Sequence, residues 1–600
     1  MKKWFIKVLC VMMLFLTGCS SNDVTYDPKN LVDYFLMGRD FATLNPLTSM
    51  STADLEIISN IADGMTEADC YGNRIGSLAK TWTYNNDYTE WTFTLRDAVW
   101  STVDGKIYDD ITAYDFEYAA KYVLDPEMAS ANAEYLFLFE GAKEYYNKKL
   151  NNEPVSFDMV GVKALDEKTV QYKTTKPCPY LLSVLGCNGF YPANEKYITS
   201  LDNPKEYGST PEKTLYSGAF LIKEHTYDTE IKLVKNPNYW DKDKVTFDTV
   251  TILGVKDEES VLEYFERGEI SLTPLVSTQV IKKYDDNSPL LLQKGTEMTA
   301  SGIVFNTQCK YSDDVNKANS NIDFRKSIFY GFDRLSLTEL INPINPESIL
   351  NKSFCPRNFV KTSDGTDYTE LGDLKKYQEM DLYQPDLALQ YKQKAMDSLK
   401  KQGVTFPIVL KYWTRTGDIS SSERAVMIKE ILETNLGEDY IQIELKEYTN
   451  SFASEVRAKG DYGFNISGWT PDFADPVNCL GIMKTNGTIN NYEKPLSSGS
   501  SHYYYPEFDA MIDDADLIGD LDKRYLAFAN AEAYLLDNAY YVPLYVSGGT
   551  YYMSTINEFT RMNCYVGIDY MKYKGLEAFG KAITQDQFKA LKKEWENNKK

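Results

Sequence analysis

Six hundred residues would fill about four domains of roughly 150 residues each, and a chain this long needs no disulfide or metal staple to fold. Its composition is ordinary for a globular protein, at 43% hydrophobic, 25% charged and 14% aromatic, which argues against long disordered stretches. A formal charge of -23 excludes a nucleic-acid partner, whose phosphates need a basic surface, and equally a charged face for anionic lipid headgroups. With only two histidines, His225 and His502, a His-rich metal centre is excluded and His-based nucleophilic catalysis has two positions for its base.

Lys2, Lys3 and Lys7 precede an apolar stretch, Val8 to Leu16, too short for the about 20 residues of a bilayer span. Leu16-Thr17-Gly18-Cys19 and Ser20-Ser21-Asn22 follow. A charged start, an apolar core and L-T-G-C in register resemble the lipobox of bacterial lipoproteins, whose cysteine receives a diacylglyceryl thioether after cleavage. The bland alternative is a plain signal peptide with an incidental cysteine. The expectation is a signal peptide over 1–18, lipid on Cys19 and a polar spacer over 19–29. Cleavage removes three lysines and no acid, so the charge of -23 becomes about -26. Seven cysteines remain besides Cys10 and Cys19, none in a C-x-x-C pair, so zinc and thioredoxin-like chemistry have no support. Cys178 and Cys187 flank Pro179-Tyr180 in one local segment and are candidates for a loop disulfide; otherwise the thiols are scattered and buried.

Strand and helix patterns alternate along the rest of the chain. β-Branched and aromatic residues predict strands at Trp91–Leu95, Thr229–Val234 and Gly302–Asn306. Three- and four-residue apolar spacings predict helices at Ala113–Leu124 after Thr112, at Asp323–Arg334 with Asn321 as cap, at Asp386–Lys401 and at Lys523–Asp537. Mixed elements over this length mean an α/β protein of more than one domain. No solenoid-type repeat is present.

Several segments, in order, carry a resemblance. They begin with Leu44-Asn45-Pro46-Leu47, Ile61-Ala62-Asp63-Gly64-Met65-Thr66, Trp91-Thr92-Phe93-Thr94-Leu95-Arg96 and Ile111-Thr112-Ala113-Tyr114-Asp115-Phe116. Ser217-Gly218-Ala219-Phe220, Lys235-Asn236-Pro237-Asn238-Tyr239-Trp240-Asp241 and Glu263 to Ile270 follow. Later come Phe324-Arg325-Lys326-Ser327 with Asp333-Arg334, then Gly468-Trp469 with Asp472-Phe473-Ala474-Asp475-Pro476, and finally Val542-Pro543-Leu544-Tyr545. Each is weak alone; together and in this order they resemble the extracytoplasmic oligopeptide- and dipeptide-binding proteins of ABC importers. Two departures stand out. The family's W-S-D-G is here Trp100-Ser101-Thr102-Val103-Asp104-Gly105, two residues longer. An arginine that some members carry two residues before the Gly-Trp glycine, and that can pair with a short peptide's carboxylate, is here Ile466.

A binder indifferent to peptide sequence must use the constant parts of its ligand, by strand-like main-chain pairing and by a carboxylate for the ammonium. The resemblance places that carboxylate at Asp472 and the strand-like backbone at Gly468, Trp469 and Thr470, with Met50, Ser51 and Thr52 contributing from the opposing lobe. Gly468 lets another backbone approach closely. Asp475 reads as a turn or capping residue, Arg96 and Asp115 as structural, and Trp82 and Trp240 as core.

The resemblance implies a two-lobed, periplasmic-binding-protein-like (type II) α/β fold with an extra inserted domain and the ligand enclosed between lobes. Domain I would comprise 30–62, 212–300 and 547–600, domain II 63–211 and domain III 301–546, with hinges near Ala300-Ser301-Gly302 and Val546-Ser547-Gly548-Gly549. The implied function is capture of extracellular oligopeptides by a lipid-anchored monomer on the outer face of a cell membrane, that of a Gram-positive cell, and delivery to permease subunits with cytoplasmic ATPases. No cofactor, metal or catalytic residue is expected, and no Walker A motif is present. A haem, metal-chelate or sugar ligand, a peptide pheromone for sensing, and, from another class, a glycosidase with an acid pair stay open at this level.

Overall fold

The computed structural model describes residues 24–275, 278–284, 288–564 and 566–599; Cys19 and the signal segment lie outside them. The predicted strands occur as Glu90–Leu95, Glu230–Lys235 and Thr296–Phe305. Helices form at Ala113–Val123, Pro385–Lys401 and Leu521–Asp537. The helix expected over Asp323–Arg334 is instead two, Ile322–Gly331 and Arg334–Ile341. Asp333 ends the first by capping the second, accepting from the amides of Leu335 and Ser336, a local competition that apolar spacing does not reveal.

Two four-stranded sheets lie in the first half of the chain. In one, Asn30–Leu36 runs parallel to Thr249–Val255, followed by antiparallel Glu230–Lys235 and Phe220–Thr226. The other is wholly antiparallel, ordered Ala79–Tyr84, Glu90–Leu95, Thr169–Lys173, Val162–Asp166. Alternating burial along Glu90–Leu95 sends Trp91, Phe93 and Leu95 inward. The lengthened Trp100–Gly105 segment forms a hairpin turn in which Gly105 takes φ +78° and the Thr102 amide donates to the Lys106 carbonyl. The largest apolar core is drawn mainly from residues 298–566, including Phe305, Phe329, Leu410, Phe464 and Phe528.

Two segments link these regions. Leu292–Gln293 and Thr296–Phe305 run antiparallel to Tyr551–Ser554 and Val542–Gly548, so one two-stranded ribbon passes from sheet to sheet. Gly548 and Gly549, at the break in the second strand, have φ +95° and +66°, and a Cβ on Gly548 would meet the Glu297 nitrogen at 2.6 Å; only glycine is tolerated there.

A buried ion cluster joins distant segments of the chain. Lys572 lies 2.8 Å from Asp63 and 3.0 Å from Glu67, Lys574 2.6 Å from Glu67 and 2.9 Å from Asp241, and Arg74 2.7 Å from Asp569. Burial alone would raise the Asp63 carboxyl, but Lys572 and Lys574 hold it down at about 2. Trp240 is not simply apolar core. Its indole donates to Asp63 at 2.9 Å, with the Arg96 guanidinium 3.7 Å and the Lys574 ammonium 4.4 Å from its ring centroid. Trp82 is likewise only partly buried. Asp115 is structural as expected, completing a capping box with Thr112 and accepting from the Trp100 indole. Cys178 and Cys187 are free thiols, not a disulfide. Cys178 is buried in apolar core and Cys187 turns to the Asp472 carbonyl at 3.3 Å.

Candidate ligand-binding site

Gly468 and Trp469 end the strand Phe464–Trp469, which pairs with Ala300–Phe305 in the register Trp469 to Ala300 and Gly468 to Ser301. A Cβ on Gly468 would meet the Ala300 carbonyl oxygen at 2.6 Å. The backbone that approaches this glycine closely is its own neighbouring strand. Pro471 breaks the strand and the chain turns into a loop ending at the short helix Pro476–Leu480.

One amide organises this loop. Asn478 Oδ1 accepts from the Trp469 indole at 2.8 Å and from the Asp472 amide at 3.0 Å, while Nδ2 donates to Asp472 Oδ2 at 3.1 Å. The Tyr135 phenol shares the cavity wall with Asp472 and, with Asn478, acts to lower its carboxyl pKa. Burial raises the Asp472 carboxyl above its ordinary 3.8, opposed by these two groups. No Lys, Arg or His pairs with it among the described residues. Asp475 caps the helix through the Val477 amide, but it is also fully buried and gripped by Arg524 at 2.7 and 2.8 Å. It is therefore a structural ion pair and more than a turn residue.

Facing this loop, Thr52 and Leu55 come from the first turn of the helix Thr52–Ile61 and Met50 from just before its N-cap. Ser51 is the N-cap residue without a side-chain cap bond. Asn132 and Asn188 hold the preceding segment through the Ser49 carbonyl at 3.3 and 2.9 Å. Met50, Thr52, Thr470, Pro471 and Asp472 together line a cavity of about 190 Å³, with Tyr135, Phe190, Ile568 and Tyr570 completing the wall. Four of the residues expected from sequence thus share one cavity, Met50 and Thr52 on one side and Thr470 and Asp472 on the other. Gly468, Trp469 and Ser51 support it without lining it. Asn132, Tyr135, Cys187 and Tyr570 had no signal in the sequence; Asn478 had a faint one, as an amide just past the Asp-Pro of the matched loop.

Among the described residues, no Lys, Arg or His lines the cavity. Ile466 sits opposite Ile303 in the sheet and packs on the apolar core, so no carboxylate contact is made at that position. His502 is buried with its ring nitrogens on the Tyr462 hydroxyl and the Asn491 carbonyl, and burial lowers its pKa to about 4.

The profile of the bacterial extracellular solute-binding proteins, family 5 (middle region), matches residues 74–491. The chain belongs to this family. Oligopeptide-binding protein SarA of Streptococcus gordonii is 30% identical, with 100% of this chain and 98% of that protein covered. Oligopeptide-binding protein OppA of Bacillus subtilis is 27% identical, over 91% and 94% respectively. Among solved structures, Listeria monocytogenes OppA bound to peptide matches with a TM-score of 0.66 at 22% identity, covering 92% of this chain and 99% of that one. The two-lobed type II binding-protein fold that the motifs implied is the fold of this family member.

Proposed function

We propose that this protein captures oligopeptides outside the cytoplasmic membrane, holding the peptide ammonium on Asp472, and passes them to an ABC permease with cytoplasmic ATPases. The observation that carries this is a carboxylate with no cation partner among the described residues, facing a cavity walled by Met50 and Thr52 on one side and Thr470 to Asp472 on the other. A carboxylate withdrawn from water needs a positive partner, and a peptide's free amino end supplies one. The names of the curated relatives, oligopeptide-binding proteins across nearly their whole length, support the same ligand class.

Domain I then corresponds to 30–62, 212–300 and 547–600, domain II to 63–211 and domain III to 301–546. In support, each four-stranded sheet falls inside one of these divisions. The ribbon of Thr296–Phe305 and Val542–Gly548 serves as the hinge, and closure is a shift toward the state that binds ligand more tightly. Lipid on Cys19 tethers the body, which works as a monomer and a binder without turnover. Native mass spectrometry of protein purified without denaturation tests the reading. A ladder of bound peptide masses is expected, and mixed peptides incubated with the protein are recovered intact. A single haem or sugar mass, or steady peptide loss that copurifies with the protein, overturns it.

A further inference from the structure

Segment 176–187, in the insert, meets the ligand loop residue by residue, at the cavity wall through Cys187 and Asp472 and outside it elsewhere. The Cys187 thiol donates to the Asp472 carbonyl at 3.3 Å, and the Ala474 amide donates to Ser183 Oγ at 2.6 Å. Between them the Tyr180 ring stacks on Phe473, with centroids 5.2 Å apart and planes 5° from parallel. The Arg524 guanidinium lies 5.0 Å from the same Tyr180 ring. Arg524 is itself fully buried, held by Asp475 and by Asp516 at 2.7 Å, and Asp516 also takes the ammonium of Lys176. The Tyr180 ring is thus engaged by two groups of the opposite lobe, Phe473 on the ligand loop and Arg524 behind it.

From this geometry we infer that Tyr180 is a positioning residue: it bolts the Asp472 loop in its ligand-holding place and so sets how long the lobes stay closed, without touching ligand. The physical reason is that the contacts of Lys176, Tyr180, Ser183 and Cys187 with Asp516, Phe473, Arg524, Ala474 and Asp472 join the two lobes, while Asp475, Asp516 and Arg524 brace one another within a single lobe. Opening the cleft exposes the Tyr180 and Phe473 faces to water, strips the Ala474 amide of its acceptor and separates Lys176 from Asp516. Contacts present only in the closed state slow opening and leave encounter with ligand largely untouched. What the loop does when held rests on the reading of Asp472 as the ligand contact; the bolt itself does not.

The test therefore has one arm without ligand. Small-angle X-ray scattering of the full chain, freed of copurified ligand, compares the parent with Tyr180→Ala, Tyr180→Phe and Phe473→Ala. Phe473 is only partly buried, so its variant reads the same stack if Tyr180→Ala fails to fold. In the second arm, dissociation of a C-terminally dye-labelled pool of pentapeptides with free amino ends is followed by stopped flow. An aromatic contact of this kind corresponds to about 2- to 12-fold. Tyr180→Ala and Phe473→Ala are expected to dissociate faster by that factor, with the association rate unchanged, and to show a larger radius of gyration. Tyr180→Phe keeps the ring and is expected to behave as the parent. Unchanged dissociation and unchanged scattering in both alanine variants overturn the inference, as does an equal effect in Tyr180→Phe. If no pentapeptide binds the parent at all, the peptide reading has failed, and scattering alone decides the bolt.

Discussion

Replacing Asp472 by Asn keeps the side chain's shape and removes its charge, so it isolates the ion pair on which the peptide reading turns. Breaking a buried charge pair costs about 3–5 kcal/mol. Asp472 is only partly buried, and the Asn478 amide still satisfies part of the replacement. The lower end, about 3 kcal/mol, is therefore expected, a loss on the order of a hundredfold in affinity for peptides with a free amino end. N-acetylating the peptide removes the other partner and should cost the parent protein a similar factor. Against Asp472→Asn, acetylation should cost little, because the pair is already gone. Titration calorimetry across the four combinations gives the cycle. The pH dependence adds a sign: ammonium binds the ionised carboxylate, and burial holds that carboxyl above 3.8. Affinity for free peptides should fall on acidification, beginning at a higher pH than an ordinary aspartate would set, while acetylated peptides show no such fall. Asp475→Asn is unsuitable as a silent control, since it unpairs Arg524; exposed Asp514 serves instead. Equal binding of acetylated and free peptides by the parent protein would refute the assignment of Asp472.

Arg524→Met leaves Asp475 and Asp516 without their buried partner and should destabilise the protein by about 3–5 kcal/mol, read as a lower urea midpoint; an unchanged midpoint contradicts it. Glu532 is fully buried, accepts from the Phe354 and Cys355 amides and the Tyr368 phenol, and burial pushes its carboxyl from 4.5 to about 7. Its folded pKa is raised, so its contribution is full below about 4.5 and is lost as pH rises through about 7, a swing of about 3 kcal/mol. Glu532→Gln should flatten that part of the stability profile, and an unaltered slope counts against the assignment. Cys19→Ala should release the protein from membranes or leave it unprocessed, because stable attachment takes more than one acyl chain; membrane retention of a correctly trimmed variant speaks against lipidation.

Strands such as Glu90–Leu95 and helices such as Leu521–Asp537 were legible because their apolar periodicity is a local property of a half-buried element. The break at Asp333 was not, since a cap competes with helix continuation through one side chain and leaves the periodicity intact. The Gly-Trp loop also stood out in the sequence, because its motif keeps a strand end, a proline break and a capped helix within ten residues. From these local patterns alone the chain declares its α/β class, its family and the segment bearing Asp472. What tertiary structure decided is everything that depends on distant residues meeting: Tyr135 and Met50 sharing a cavity wall with Asp472, Asn478 turning its amide back onto Trp469, and Asp475 becoming a buried ion pair because Arg524 arrives from 49 residues away. Trp240 shows the same division, for its aromatic character is written in the sequence, whereas its place beside Arg96 and Lys574 is set by chain segments more than a hundred residues away on either side. Spacing along the chain governs contacts within a helix or strand, and long-range contacts follow only from how the packed elements bring their faces together.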